Sequence, residues 1–168
     1  MTSFDLRRLK LRSGEEHTEA VEIELAPFEL GGQRYLPVPA TVEAAFDANR
    51  ATTGTAFRLR FRTRLHGPCF RCLGDAALDI AVDAREYQAT NPDSEELATP
   101  YVQDDKVDLS AWARDAIALA LPEQILCRPD CAGLCPVCGK NLNDEPHVHE
   151  EERGDARWAA LEALKEQL

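Results

Sequence analysis

The cysteines of this chain are closely paired, which is typical of metal binding. They form three pairs: Cys69 and Cys72, Cys127 and Cys131, and Cys135 and Cys138. The first and last pairs are Cys-x-x-Cys turns, which point two thiolates toward one place and supply half of a tetrahedral zinc site. Gly139 follows the last turn and permits the left-handed backbone that such turns often need. The spacing therefore predicts zinc chemistry.

His147 and His149 are further candidate ligands, and with the six cysteines they make eight, enough for two four-coordinate sites. In extended backbone the two imidazoles of His-x-His project to one side and can share an ion. The first partition has two groups: Cys69, Cys72, Cys127 and Cys131, and then Cys135, Cys138, His147 and His149. The rival partition joins the two turns around one zinc ion, as in a zinc ribbon: Cys69, Cys72, Cys135 and Cys138. Cys127 and Cys131 then pair with the histidines or stay free.

The composition predicts a cytoplasmic protein. The N-terminal residues lack the apolar run of a secretory signal, and no stretch approaches the roughly 20 apolar residues needed to cross a bilayer. We therefore expect no membrane partner. Thiols stay reduced in the cytosol, which favours Zn²⁺ over three disulfides, the alternative in an oxidising compartment.

The net charge of −11 is unevenly distributed. Residues 1–72 have a balance of +2, whereas residues 73–168 have a balance of −13. Phosphate neutralisation supplies most non-specific affinity for nucleic acids, so a chain of this composition is expected to be a poor general RNA binder. RNA contact would need a local patch, and the candidate residues are Arg58, Arg60, Arg62 and Arg64. The acidic half would instead attract a basic protein.

Alternating apolar and polar residues predict antiparallel strands over most of residues 1–88. The predicted strands are Thr18–Ala26, Val38–Phe46, Thr55–Leu65 and Leu78–Arg85. Matching the apolar faces of the last two strands pairs Phe61 with Val82, and Arg64 with Asp79. The first Cys-x-x-Cys turn then forms the tip of a hairpin.

The remaining segments complete the predicted fold, which is α+β in a single domain over residues 1–168. We expect an acidic loop at 89–107, a helix at 108–122, a metal-binding segment at 127–150 and a C-terminal helix at 155–168. Asp108 would cap the first helix and Pro122 would end it. The fold class is an antiparallel β-sheet, open or barrel-like, with a few helices and a zinc-binding Cys/His-rich C-terminal segment.

Three motifs resemble the YceD family, the large ribosomal RNA subunit accumulation proteins. They are Cys69-Phe-Arg-Cys72-Leu73, Leu119-Ala-Leu-Pro122 and Cys131-Ala-Gly-Leu-Cys135-Pro-Val-Cys138-Gly-Lys-Asn-Leu-Asn143. The resemblance implies a role in large-subunit ribosome biogenesis and comes with no known reaction. Many members have Cys-x-Cys where this chain has His147-Val-His149, a replacement that keeps the number of ligands.

The expected function is therefore a non-enzymatic, zinc-containing factor for large-subunit ribosomal RNA accumulation. Its expected partners are that RNA, a pre-ribosomal particle or a basic ribosomal protein, with no small-molecule substrate. Alternatively, the arginines only pair with carboxylates, namely Asp79, Asp83 and Glu43. A redox- or zinc-sensing regulator is a second interpretation. A zinc-dependent hydrolase is a third, with Glu145 or Glu150 as the base if only one histidine binds.

Overall fold

The computed structural model describes residues 2–90 and 97–149. The predicted helix at 155–168 and the candidate base Glu150 lie outside these residues. The described strands are β1 (Ser3–Asp5), β2 (Glu16–Glu24), β3 (Phe28–Leu30), β4 (Gln33–Val38), β5 (Thr41–Arg50), β6 (Gly54–Pro68), β7 (Asp75–Ala89), β8 (Val102–Gln103) and β9 (Lys106–Asp108). A 3-10 helix (Leu6–Arg8) follows β1, and the α-helix α1 (Leu109–Leu119) follows β9.

Strand β6 is the centre of a six-stranded antiparallel sheet. One edge of β6 pairs with β7 along its whole length, and the other edge pairs first with β5 and then with β4. Strand β2 pairs with β5, and β3 pairs with β4. Within the described residues, β7 pairs with β6 alone and β2 with β5 alone, so the sheet is open. The barrel-like form of the prediction is therefore wrong, whereas the mainly antiparallel sheet is confirmed.

The hairpin of β6 and β7 has the predicted register. Phe61 is paired with Val82, and Arg64 with Asp79. We call the face of the sheet that carries the β6 arginines the outer face; the opposite, inner face carries the buried residues Phe57, Leu59, Phe61, Thr63 and Leu65. A shift of one residue would place guanidinium groups in the core, which is why hydrophobic alternation specifies the register.

The predicted strand Val38–Phe46 is interrupted in the structure. Val38 ends β4 with its side chain 50% exposed, whereas Val42 and Phe46 in β5 are buried. Val38 and Ala45 are seven positions apart along the chain, but their partners Arg64 and Arg60 on β6 are only four positions apart. The three additional residues leave the ladder around Pro39, which has no N–H to donate to it. Val38 therefore lies on the outer face.

The predicted acidic loop at 89–107 contains two short strands, which corrects that prediction. Strands β8 and β9 form a hairpin, and β9 also pairs with β1 to give a three-stranded sheet. Asp104 and Asp105 form its turn with φ angles of 50° and 59°, as two-residue hairpin turns of type I′ require. Strands of two or three residues are too short for alternation to reveal, and the stabilising partner β1 is distant in sequence.

Helix α1 begins as predicted but ends earlier. The Ala111 N–H donates a hydrogen bond of 2.9 Å to Oδ1 of the N-cap residue Asp108. The last helical residue is Leu119, because the residue before a proline, here Leu121, avoids the helical conformation.

The hydrophobic core is formed by the inner face of the sheet and one side of α1. Trp112 of α1 is buried, and the Phe46 ring packs against the rings of Phe4 and Phe57. Among the described residues, those up to Cys131 form one compact unit, and residues 132–149 belong to a second. Within the described ranges, no helix is both long and apolar enough to cross a bilayer.

Candidate metal centres

The first Cys-x-x-Cys turn forms the tip of the hairpin between β6 and β7, as predicted. The Cys69 N–H donates to the Gly74 carbonyl at 2.6 Å, and the Leu73 N–H donates back to the Cys69 carbonyl at 3.0 Å. Leu73 adopts a left-handed φ of 60°. These two hydrogen bonds fold the turn tightly, so that the thiols of Cys69 and Cys72 face the same side.

A second segment, residues 124–131, lies against this turn and supplies two more thiols. The Phe70 N–H donates to the Ile125 carbonyl at 2.8 Å. The Arg71 guanidinium donates to the Cys131 carbonyl at 3.1 Å and to Oε1 of Gln124 at 3.3 Å. Hydrogen bonds from the intervening residues of the Cys-x-x-Cys turn therefore position the partner segment.

The four thiols of this first cluster have the spacing of a zinc site. The Sγ atoms of Cys69 and Cys131 are 3.8 Å apart, and those of Cys72 and Cys127 are 3.7 Å apart. All four sulfurs lie within 4.8 Å of one another. Sulfurs about 2.3 Å from a shared zinc ion are about 3.8 Å apart in a regular tetrahedron, whereas a disulfide would need about 2.05 Å. The donor set therefore fits zinc.

The backbone also favours a thiolate in this cluster. Burial raises the pKa of the Cys69 thiol, but N–H donors of Cys72, Cys127 and Arg71 outweigh that effect and lower the pKa to about 6. Metals bind the thiolate form, so these dipoles prepare the sulfur as a ligand. Cys69 and Cys131 are buried, whereas Cys127 is exposed.

The second Cys-x-x-Cys turn has the same hydrogen-bond pattern as the first. The Cys135 N–H donates to the Lys140 carbonyl, and the Gly139 N–H donates to the Cys135 carbonyl, both at 2.8 Å. Gly139 has a φ of 72°, which confirms the left-handed backbone predicted there. Leu73 has the equivalent position in the first turn, where a residue with a side chain adopts the same left-handed backbone conformation.

His147 completes a second group of ligands with a defined tautomer. Its Nδ1 is 2.7 Å from the Glu145 carbonyl, which can only accept, so Nδ1 carries the proton. The Nε2 lone pair is therefore directed to Sγ of Cys138, 3.1 Å away. A backbone acceptor on the other ring nitrogen is the usual support of a zinc-bound histidine. The Glu145 carbonyl also raises the pKa of His147.

The second cluster contains Cys135, Cys138, His147 and His149, whose ligand atoms all lie within 4.8 Å of one another. N–H groups of Cys138 and Val137 lower the pKa of Cys135 to about 6. A sulfur and a nitrogen on one tetrahedral zinc ion are about 3.5 Å apart, so Cys138 and His147 would separate slightly on binding.

Asparagine side chains close the loop of the second cluster. Oδ1 of Asn141 accepts from the Asn143 N–H at 3.1 Å, and Oδ1 of Asn143 accepts from the Ala132 N–H at 2.8 Å. Lys140 donates to the Glu145 carboxylate at 2.6 Å. The polar side chains that follow the second turn therefore have a structural role, because they form hydrogen bonds within this loop.

The eight predicted ligands thus fall into the two groups of the first partition. His66 and His17 lie outside both groups: His66 is exposed on β6, and His17 is 3.1 Å from the Glu19 carboxylate. Metal binding itself stays a prediction.

The four predicted RNA-contacting arginines lie together on the outer face, but three are ion-paired. Arg58 forms two hydrogen bonds with Asp83 at 2.7 and 2.6 Å, and Arg64 forms two with Asp79 at 2.6 and 2.8 Å. Oδ2 of Asp47, on β5, accepts from Arg60 at 3.0 Å. Hydrogen bonds from the arginines lower the pKa values of Asp79 and Asp83.

Among the described residues, Arg62 has no ion pair, and Glu43 does not pair with any of these arginines. The same face carries Arg85 and Tyr87, which the sequence reasoning did not single out. Arg85 is opposite Arg58, and Tyr87 is opposite Ala56. If the predicted pairing of β6 with β7 is continued along β7, it places Arg85 and Tyr87 beside the β6 arginines.

Comparisons with known proteins agree with the motifs. The profile of Large ribosomal RNA subunit accumulation protein YceD matches residues 57–165. Protein YlbN of Bacillus subtilis is 30% identical over 171 residues, which cover 99% of this chain and 96% of YlbN. An uncharacterized protein of Mycobacterium tuberculosis is 41% identical over 100 residues, covering 56% of this chain and 48% of that protein.

A chloroplastic YCED homologue of Zea mays is 45% identical over 40 residues, covering 24% of this chain and 14% of the homologue. The chain thus matches about half the length of its mycobacterial relatives. No solved structure matches it. The profile match and the similarity to YlbN along the whole chain show that this protein belongs to the YceD family of large ribosomal RNA subunit accumulation proteins.

Proposed function

We propose that this protein is a non-enzymatic zinc-binding factor of the cytoplasm that supports the accumulation of large-subunit ribosomal RNA. It acts by binding that RNA, a pre-ribosomal particle or a basic ribosomal protein. Family membership and the Zea mays homologue, named a large ribosomal RNA subunit accumulation protein, support the ribosomal role. The observation that carries the zinc proposal is the spacing of 3.7 and 3.8 Å between the sulfurs of the first cluster.

The first cluster fits a structural zinc ion. Zinc bound by four thiolates has no coordination position left for water, which a catalytic zinc needs. The ion would join the β6–β7 hairpin to the segment that carries Cys127 and Cys131. Structural zinc contributes roughly 10–16 kcal/mol in small finger peptides, similar to the whole stability of about 5–15 kcal/mol of a typical domain.

The second cluster would hold its loop together in the same way. Within residues 132–149, the large apolar side chains Leu134, Val137 and Val148 are exposed, so this segment buries little of its own apolar surface. Small segments of this kind depend on a metal for order. Chelation should therefore loosen residues 127–150 first, and unchanged hydrogen exchange there would contradict the proposal.

The hydrolase interpretation has less support. Glu145, one of the two candidate bases, is ion-paired with Lys140 at 2.6 Å, and the four ligands of the second cluster would leave no coordination position for a water molecule. X-ray absorption of the zinc-loaded protein distinguishes the two functions: a zinc ion with three protein donors and one water would favour the hydrolase.

A redox regulator is a second candidate, favoured by the accessible pair Cys72 and Cys127, 3.7 Å apart. Desolvation and hydrogen bonds with the neighbouring cysteines raise the pKa of the Cys127 thiol to about 12, which leaves little of the reactive thiolate and weighs against this candidate. Hydrogen peroxide would oxidise the remaining thiolate to a sulfenic acid and release hydroxide, and the Cys72 thiolate would then form the disulfide and release a second hydroxide. Peptide mapping after peroxide treatment tests this function, because no disulfide between these two residues would exclude it.

Native mass spectrometry of the reduced, freshly isolated protein tests zinc binding. We expect two zinc ions in the wild type and one in both Cys131→Ser and Cys138→Ser. His66→Gln changes an exposed histidine outside both clusters and should keep two ions. A metal-free wild type would overturn the proposal.

The ribosomal role is tested in cells that lack the gene. We expect a lower ratio of large- to small-subunit ribosomal RNA, restored by the wild type and by His66→Gln but not by Cys131→Ser. A normal ratio in cells without the protein would refute the proposed function.

A further inference from the structure

A groove of about 540 Å³ lies on the outer face, at the end of β6 and β7 away from the Cys-x-x-Cys turn. Its lining includes Tyr87, Arg85 and Arg58, together with Asn49 on β5. Pairing across the sheet places Arg85 opposite Arg58, and Tyr87 opposite Ala56. An aromatic ring and two guanidinium groups are therefore neighbours on one rigid surface.

The Tyr87 ring is held in place. Its hydroxyl is 2.7 Å from Oγ1 of Thr53, and its ring covers Gly54, where any Cβ would overlap the Tyr87 Oη and Cζ atoms. The side chain is nevertheless 37% exposed. A ring that is fixed but exposed can stack on a planar ligand with little further loss of side-chain entropy.

The two arginines differ in whether a carboxylate offsets their positive charge. Arg58 is held by its two hydrogen bonds to Asp83, whereas Arg85 has no ion pair in the part of the chain that the structure describes. Like charges directly opposite each other destabilise a sheet. An anion bound beside Arg85 would relieve this repulsion, and the exposed guanidinium is free to donate to it.

Nearby carboxylates limit how many phosphates the groove accepts. Asp47 is occupied by hydrogen bonds from Arg60 and Thr18, but Glu16 and Glu86 also line the groove. The dense phosphates of a duplex would meet these acidic groups. A single strand instead presents unstacked bases, which bind aromatic side chains, with one phosphate for each base.

We propose that this groove binds a nucleotide of single-stranded RNA. The base stacks on the Tyr87 ring, and its phosphate accepts hydrogen bonds from Arg85. Arg58, whose charge is offset by Asp83, lies opposite Arg85. The inference rests on the proposed function and locates its RNA contact mainly at Arg85 and Tyr87 on β7, away from Arg60, Arg62 and Arg64. Because stacking tolerates any base, the site selects strandedness rather than sequence.

Fluorescence anisotropy with the full-length, zinc-loaded protein and a labelled 12-nucleotide single-stranded RNA of mixed sequence tests this site. Loss of a stacked base in Tyr87→Leu should weaken binding about 5- to 150-fold. Tyr87→Phe keeps the ring and should bind within about 3-fold of the wild type. Arg85→Gln should weaken binding and lower the salt slope by about 0.7. Arg34→Gln, an exposed arginine on β4, is the matched control and should change neither value.

Wild-type affinity for the single strand in Tyr87→Leu, or tighter wild-type binding to a 12-base-pair RNA duplex, would overturn the inference. So would an absence of single-strand binding by the wild type. Thermal melting and zinc content of each variant verify folding, and Tyr87→Phe separates loss of the ring from loss of structure. The RNA ratio in cells lacking the gene is independent of these titrations, so failure of the groove and failure of the proposed function are distinguishable.

Discussion

Replacing Thr63 with valine should stabilise the protein. Thr63 lies on the inner face of β6 opposite Ile80, and its side chain is only 6% exposed. Its hydroxyl has no hydrogen-bond partner among the described residues. A buried hydroxyl without a partner costs about 1–3 kcal/mol, and valine has nearly the same shape with a methyl group in its place. We therefore expect Thr63→Val to raise the free energy of unfolding by about 1–3 kcal/mol.

Thr55→Val is the matched control because Thr55 is also on the inner face of β6. Oγ1 of Thr55 accepts a hydrogen bond of 2.9 Å from Nη1 of Arg50. Removing that acceptor should lower the free energy of unfolding by about 0.5–1.5 kcal/mol. The two substitutions are chemically identical, and Thr55 is partly buried whereas Thr63 is buried, so opposite signs would point to the hydrogen bond that Thr55 makes and Thr63 lacks.

Urea unfolding of the zinc-loaded protein measures both effects, and thermal melting provides a second readout. In a protein of this size, 1 kcal/mol corresponds to a shift of about 2–4 °C in the melting temperature. If Thr63→Val were neutral or destabilising, its hydroxyl would have a partner in the folded protein, and the reasoning would be refuted.

Three further substitutions test other contacts. The Arg64 guanidinium holds the pKa of Asp79 below 3.8, so the ion pair stabilises the fold above about pH 4 and is lost as the pH falls through the lowered pKa. Asp79→Asn should therefore flatten the decline of unfolding free energy on acidification, and identical profiles would contradict this. Gly67→Ala would push a methyl group into the Tyr35 ring and should cost about 1–3 kcal/mol in urea unfolding; a neutral result would mean that the ring can move aside. Gly139→Ala meets no neighbouring atom, so its cost of about 1–2 kcal/mol should come from the left-handed φ alone. Chelator competition should then remove zinc more readily from the second cluster only, and equal retention would oppose this.

The sequence alone determined the features that depend on neighbouring residues. Alternation along β6 and β7 predicted the face of each residue, because a shift of one residue would bury Arg64 and expose Phe61, and the pairing of Arg64 with Asp79 agreed with the observed register. The sequence likewise predicted the Cys-x-x-Cys turns and the capping of α1 by Asp108, since each depends on residues a few positions apart. The eight candidate ligands were also identified from the sequence, but two ways of grouping them stayed open until the structure placed them in the first.

Only the tertiary structure decided which distant groups meet. Arg60 is paired with Asp47 on β5 rather than with Asp83 on β7, because the β5–β6 register places that carboxylate within reach. The sheet of β1, β9 and β8 forms across a long sequence separation that local patterns do not record. Tyr87 becomes an exposed platform because Gly54 and Thr53 hold its ring in place. Such contacts depend on how strands are brought together in space, and alternation specifies a residue's face without specifying its neighbours.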